Sequence, residues 1–382
     1  MSNNISKQAL ALHKKSKGKI EVMPKVKLNL PKELALAYTP GVAAVSNAIA
    51  KDPKKALEYT AKGNLVAVVT DGSAVLGLGD IGPEAAIPVM EGKCAIFKKF
   101  AGIDAFPICL KTKKTSEIIG IVKNISPIFS GINLEDISSP RCFEVETKLS
   151  RKLNIPVFHD DQHGTSIVVL AGLINSLKLV EKPLSQARVV INGAGAAGTA
   201  TAQLLHRAGV KNLIVLDSKG IISRKRDYLY PHKKELLKIL LAEPSKGTLK
   251  EALRGADVFI GLSRCCILAP MLVKLMNAKP IIFALANPDP EILPDAANKC
   301  GAAVVATGRS DFPNQLNNAL VFPGFFRGLL DGNIPRVTVK MKLAVAHALA
   351  DLVKKPTRNN IIPSIFDKRV VPAVARAVLN CK

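Results

Sequence analysis

The sequence predicts an α/β protein: an N-terminal α/β catalytic domain, residues 1–160, followed by a Rossmann-like, doubly wound parallel-sheet domain, residues 161–382. Three observations carry this. After residue 180, short β-branched runs alternate regularly with helical stretches, the pattern of a parallel sheet with right-handed crossovers. A Gly-x-Gly-x-x-Gly turn sits at the head of that alternation. Before residue 160 the same kinds of element occur, but acids rather than glycines gather at the predicted strand ends.

Residues 1–19 read as a polar helix, without the continuous apolar stretch of a leader peptide. In "LAYTPGVAAVSNAIAKDP" (36–53) a Pro-Gly turn opens a helix. Residues 64–110 read as strand, Gly-rich turn, helix and strand. "EIIGIVKNISPIFSGINLEDI" (117–137) gives a helix and then a short strand ending in acids. "SPRCFEVETKLSRKLNIPVF" gives a helix and a strand, and "HDDQH" the turn after it. The apolar run 164–180 predicts a buried helix, with Thr165 or Ser166 as its cap. Later strands are expected at 187–193, 212–217, 256–262, 280–288 and 302–308.

Composition narrows the classes. With 48% hydrophobic residues, 26 Gly and 24 Pro, the chain is globular and not disordered. Seven cysteines without any CxxC spacing point to reduced thiols and a cytoplasmic protein. No apolar run spans a membrane without charge. The net charge of +24 is spread along the chain and is mostly lysine. With no Trp and 4% aromatics, stacking platforms for single strands are scarce. The reading is a basic surface with no specific nucleic-acid partner.

Gly193, Gly195 and Gly198 follow a strand and open a helix. Asp217 ends the next strand, 19 residues past Gly198, where an acid meets the adenine ribose of a dinucleotide. Asp217 favours NAD; Lys219, Arg224, Lys225 and Arg226 beside it could pair with the extra phosphate of NADP.

The acids raise a different possibility. His159 and His163 have the four-residue spacing of a zinc-protease helix, but here they straddle a strand-to-helix turn and no glutamate follows the first histidine. Asp160 and Asp161 read as a metal or catalytic pair, or as a capping turn. If Glu135 and Asp136 meet Asp161 in space, three hard oxygen ligands suit Mg²⁺ or Mn²⁺ better than zinc. Lys93, between a glycine and an apolar run, reads either as a snorkelling surface lysine or as a buried one able to lose its proton near a cation. Tyr38, beside the Pro-Gly turn, reads as core or as a catalyst.

Together, "YTPGVA", "VAVVTDGSAVLGLGDIGP", "PVMEGK", "FAGIDAFPI", "INLEDI", "PRCFEVE", "IPVFHDDQHGTS", "IIFALANPDPEI" and "TGRSDFPNQLNNALVFPG" closely resemble the short bacterial-type malic enzymes. The resemblance runs from about residue 18 to beyond 340. It implies oxidative decarboxylation of L-malate to pyruvate and CO₂ with NAD or NADP, a divalent metal (Mg²⁺ or Mn²⁺) and a homodimer. It further implies Glu135, Asp136 and Asp161 as metal ligands, Lys93 as general base, Tyr38 as general acid and Asp160 as an acid close by. Asn287 and Asn318 would hold substrate and nicotinamide. A malolactic reaction to lactate, or another Rossmann hydroxy- or amino-acid oxidoreductase, is the alternative. The chain departs from the family pattern at Ser73-Ala74, where longer members carry an arginine nearby. It departs again at Ser130-Gly131, at the lysine-rich "KTKKTSE", and at "GLSRCCILAP" (261–270), where the family has a small Gly-containing turn.

Overall fold

The computed structural model describes residues 2–75, 77–240 and 247–382. Two separate sheets form. The first has four parallel strands in the order β2-β1-β3-β4: β1 Leu65–Thr70, β2 Asp104–Cys109, β3 Gly131–Leu134 and β4 Val157–His159. The second has six, in the order β10-β9-β8-β5-β6-β7: β5 Arg188–Asn192, β6 Asn212–Asp217, β7 Gly220–Ile221, β8 Val258–Gly261, β9 Ile281–Ala284 and β10 Val304–Thr307. All five strands expected after residue 180 are present and parallel. The two-residue β7 was not foreseen. It pairs antiparallel with β6 as an edge, and two residues carry too little periodicity to read.

Each sheet has a point where strand order reverses, between β1 and β3 in the first and between β5 and β8 in the second. Open parallel sheets leave a crevice at the carboxyl ends of such strands, and ligands bind there. The acids Glu135-Asp136 directly follow β3, and Asp160-Asp161 follow β4. Gly193 directly follows β5.

The helix Asp160–Leu179 lies between the two sheets in the chain and buries 14 residues, from Asp160 to Leu177. It begins four residues earlier than the sequence suggested, with His159 rather than Thr165 or Ser166 as N-cap. Two aspartates in its first turn complement the positive end of the helix dipole, which offsets the missing hydroxyl cap. Ser166 bonds the His163 carbonyl inside the helix instead, at 3.1 Å. The "HDDQH" stretch is therefore the helix start and not a free turn.

The core crosses from one sheet to the other. Phe322, Phe325 and Phe326, on the late helix Phe322–Asp331, pack against Phe97 and Phe158 with ring centroids 4.7–5.8 Å apart. The N-terminal stretch is the opposite case. Among the residues whose burial is described, its helices Ser2–Ser16, Pro31–Ala37 and Val42–Lys51 contribute no buried one, and the first buried side chain is Val66. Leu10, Val22, Met23, Leu36 and Tyr38 are all more than 65% exposed. No described helix is long and apolar enough to cross a membrane.

Candidate active site

The first sheet gathers a buried charge cluster. Lys93 lies on the helix Gly82–Ala101, on the face it shares with Ala86, Met90, Cys94 and Phe97, and is 8% exposed. That face packs under the sheet, so the lysine is drawn inward. Its Nζ lies 2.5 Å from Asp160 Oδ2 and 2.9 Å from Glu135 Oε1, and 4.4 Å from the centre of the Phe322 ring. Asn133, on β3, donates to the second Glu135 oxygen at 2.9 Å. Asp136 takes a left-handed φ of +53°, a conformation that short polar side chains tolerate better than most. That kink brings its backbone N–H to Asp161 Oδ2 at 2.9 Å.

One oxygen each from Glu135, Asp136 and Asp161 lies within 4.8 Å of the others. Asp136 Oδ2 and Asp160 Oδ1 are buried without a hydrogen-bond partner. Hard carboxylate oxygens, converging and under-satisfied, fit a divalent cation of the Mg²⁺ or Mn²⁺ kind. Neither histidine joins this set. His163 is bound through Nε2 to Glu146 at 2.8 Å and meets Lys342 Nζ at 2.9 Å from Nδ1.

The electrostatics follow from burial. It pushes Asp136 up to about 9, Glu135 to about 7, and Asp160 and Asp161 to about 6, with neighbouring carboxylates adding to the effect and Lys93 opposing it. Burial alone would drive the proton off Lys93, but Asp160 and Glu135 hold it on, so its pKa is raised. The sequence allowed a buried lysine that loses its proton near a cation; the two carboxylates against it favour the charged form.

Sequence reasoning missed the support around the cluster. Glu146 accepts from the His159 backbone N–H at 2.9 Å, Gln162 at 3.1 Å and His163. Burial would raise its pKa, but His163 and Lys342 bring it down to about 2. A signal was present: on the helix Arg141–Lys152, Glu146 shares the stripe of Cys142, Val145 and Leu149, a carboxylate on an apolar face. Ser73 is a second missed latch. It donates to Asp71 and accepts from the Ser138 N–H at 2.9 Å, while Arg141 pairs with Asp71 at 2.9 Å. Ser73 therefore holds the β1 loop against the Asp136 turn. Ser130, the other departure nearby, donates to the Lys62 carbonyl.

Two of the expected residues arrive from the distant chain. Gly164 has no room for a Cβ, which would fall 2.0 Å from Asp160 Oδ1 and 2.9 Å from Asn318 Cβ. Asn318 is thus set beside the cluster. Asn287, before a cis proline, touches the first sheet's loop: a Cβ on Gly77 would sit 2.4 Å from the Asn287 carbonyl oxygen. Tyr38 is not brought in. It stands 67% exposed on the N-terminal stretch, outside the buried cluster.

The second sheet forms an open cleft of about 1070 Å³ over the glycine turn. Gly193 has φ +122°, and a Cβ there would lie 2.3 Å from the Leu262 carbonyl oxygen. A Cβ on Gly198 would lie 1.7 Å from the Gly193 carbonyl oxygen, so helix and strand could not close together. Gly195 faces open space, at the N-cap of the helix Ala196–Arg207. An approaching pyrophosphate would meet bare backbone and a helix N-terminus there. Asp217 lines the cleft, but its carboxylate is already engaged, by Arg226 at 2.8 and 2.9 Å and Lys233 at 2.7 Å. Burial would raise its pKa, yet these bonds hold it below the usual carboxylate value.

Comparison with known proteins matches both halves of the chain. The malic enzyme N-terminal domain family matches residues 16–150, and the malic enzyme NAD binding domain family matches residues 162–381. The chain is 52% identical to a bifunctional malic/malolactic enzyme of Bacillus subtilis, over 98% of this chain and 92% of that one. It is 53% identical to an NAD-dependent malic enzyme of Geobacillus stearothermophilus, over 99% of this chain and 79% of the relative. The crystal structure of an NAD-dependent malic enzyme from Thermotoga maritima superposes with a TM-score of 0.94 at 50% identity, covering 97% and 98% of the two chains.

Proposed function

The chain belongs to the malic enzyme family, and from that premise we propose how its own residues carry out the oxidative decarboxylation of L-malate to pyruvate and CO₂ with reduction of NAD or NADP. The observation that carries the proposal is the buried Lys93–Asp160–Glu135 contact beside three converging carboxylates.

Glu135, Asp136 and Asp161 would hold Mg²⁺ or Mn²⁺. The ion would supply Lewis acidity to the malate hydroxyl and an adjoining carboxylate oxygen. Lys93 Nζ is the base: it passes the proton it holds to Asp160 Oδ2, 2.5 Å away, and then takes the proton of the C2 hydroxyl. Phe322 closes the other side of the ammonium and keeps water from it. Asn318 and Asn287 would bind substrate and nicotinamide from the two sides of the crevice. The Gly193–Gly198 turn binds the pyrophosphate. Since Arg226 and Lys233 neutralise Asp217, this acid does not repel a 2′-phosphate, which keeps NADP open beside NAD.

Tyr38 is assigned the proton donated to C3 as pyruvate forms. That role asks for a second chain or a movement of the stretch that carries it, because Tyr38 stands 67% exposed outside the cluster. The unburied apolar side chains of residues 5–65 support a homodimer that covers them. The division into domains at 160/161 follows the two sheets, and the cytoplasmic assignment follows from seven unpaired thiols.

A second reading is favoured by the Bacillus subtilis relative, named a malic/malolactic enzyme: conversion of malate to lactate with the coenzyme retained. Incubation with L-malate and Mn²⁺, separately with NAD and NADP and with an EDTA control, tests both. Chelator-sensitive reduced coenzyme with equimolar pyruvate is expected. Lactate without free reduced coenzyme would establish the second reading, and neither product would overturn both.

A further inference from the structure

The "SRCC" stretch is not used by this chemistry. Residues 263–268 leave the end of β8 and run along the wall of the dinucleotide cleft. Asn192, at the end of β5, donates to the Ser263 hydroxyl at 2.8 Å, and a Cβ on Gly193 would lie 3.3 Å from Ser263 Cβ. The stretch is therefore in contact with the glycine turn. It is pinned from outside as well. Ser263 N–H donates to Glu291 Oε1 at 3.3 Å, Cys266 N–H to the Pro290 carbonyl at 3.2 Å and Leu268 N–H to the Glu291 carbonyl at 3.1 Å. Ser263, Arg264 and Ile267 line the cleft, and Cys265 and Cys266 lie between them, both exposed. Cys266 is held at φ +58°, unusual for a residue with a side chain.

Adjacent Cα atoms are about 3.8 Å apart, below the roughly 4.4–6.8 Å that an ordinary disulfide spans. A direct S–S bond is strained here. One larger thiophilic atom bonded to both sulfurs is not under that constraint, and soft thiolates prefer such partners. We propose that Cys265-Cys266 is a two-sulfur site for trivalent arsenicals, and that its occupation obstructs the dinucleotide cleft. With an organoarsine oxide, two As–S bonds form and the As–O bond breaks. The two thiol protons leave with that oxygen as water, and no oxidation state changes. The added group stands beside Arg264 and Ile267, on the wall the dinucleotide would use.

The obstruction rests on the dinucleotide reading of the cleft; the two-sulfur site does not. The test treats the whole protein with phenylarsine oxide in excess monothiol, reads intact mass, and then titrates NADH and NADPH by fluorescence. One phenylarsenic group per chain is expected, kept in monothiol and released by a small dithiol, with coenzyme affinity about tenfold weaker while it is bound. Cys265→Ser and Cys266→Ser should each lose the monothiol-resistant adduct and bind coenzyme as the unmodified protein does. A resistant adduct that survives in the double variant overturns the site. An adduct at these cysteines that leaves affinity unchanged overturns the obstruction. Failure of untreated protein to bind either coenzyme overturns the dinucleotide reading and the obstruction with it, while the mass result still decides the two-sulfur site.

Discussion

The two sheets solve the same problem in opposite ways. Both place their residues at the carboxyl ends of parallel strands, beside a reversal of strand order. The first fills that crevice with four carboxylates and a lysine, and buries all but Asp161, which is half-buried. The second leaves it open and lines it with glycine backbone. Buried charge is costly unless paired or bound to a cation. An uncharged glycine turn, open to solvent at Gly195, carries no such cost, and it recognises phosphate through N–H groups and a helix end. Damage should therefore separate cleanly: charge changes in the first sheet alter turnover and metal response, and backbone changes in the second alter coenzyme affinity.

The largest separation is expected from Lys93→Ala. Loss of a general base costs about 10²–10⁴ in rate, and steady-state kinetics should show at least that, with NADH affinity unchanged. Near wild-type turnover would remove Lys93 from the chemistry.

Metal response comes next. A ligand present at about 100 times its Kd stabilises the folded state by about 2.7 kcal/mol. Thermal melts of the wild type with and without saturating Mn²⁺ should differ accordingly, and Glu135→Gln should abolish the difference.

The pH dependence of that response has a definite sign. Asp136, Glu135, Asp160 and Asp161 all bind protons more tightly folded than unfolded, where carboxyls titrate near about 4. Their contribution without added cation is complete below about pH 4 and is lost as pH rises through about 6 to 9. Chelator-treated protein should lose this contribution across that window, and the Mn²⁺ shift should grow across it. A shift that shrank with rising pH would mean that these acids do not hold the ion.

Gly195→Ala probes the other sheet. A Cβ at Gly195 meets nothing within 4 Å, so the fold and the Mn²⁺ shift should persist. Coenzyme titration should find about tenfold weaker binding, about 1.4 kcal/mol. The smallest effect belongs to Lys148→Ala, in an exposed pair with Glu144. Such pairs contribute about 0–1 kcal/mol, and neither site should respond.

The same contrast governs what was legible in the sequence. The glycine turn is local: three glycines, the flanking strands and Asp217 all lie between residues 187 and 217, and their spacing states the geometry. What spacing could not state is that Arg226 and Lys233 would close on Asp217. The acid cluster is not local. Lys93, Glu135 and Asp160 are brought together by a helix and two strands, and residue types alone left each one ambiguous. The resemblance, not periodicity, supplied the role expected of each. The direction of the Lys93 shift was not legible, because it depends on which charges touch it. Glu146 went unassigned although it stood on an apolar stripe. The helix start at Asp160 was placed late, because the capping hydroxyls of Thr165 and Ser166 were weighed above two first-turn acids.

The most direct measurement is a Mn²⁺ titration, followed by electron paramagnetic resonance, of the wild type and Asp161→Asn, with NADH binding measured on the same samples. The account predicts one tight Mn²⁺ per wild-type chain, its loss in the variant, and equal NADH affinity in both. Tight Mn²⁺ binding that survives Asp161→Asn, or NADH affinity that falls with it, would contradict two sites divided between two sheets.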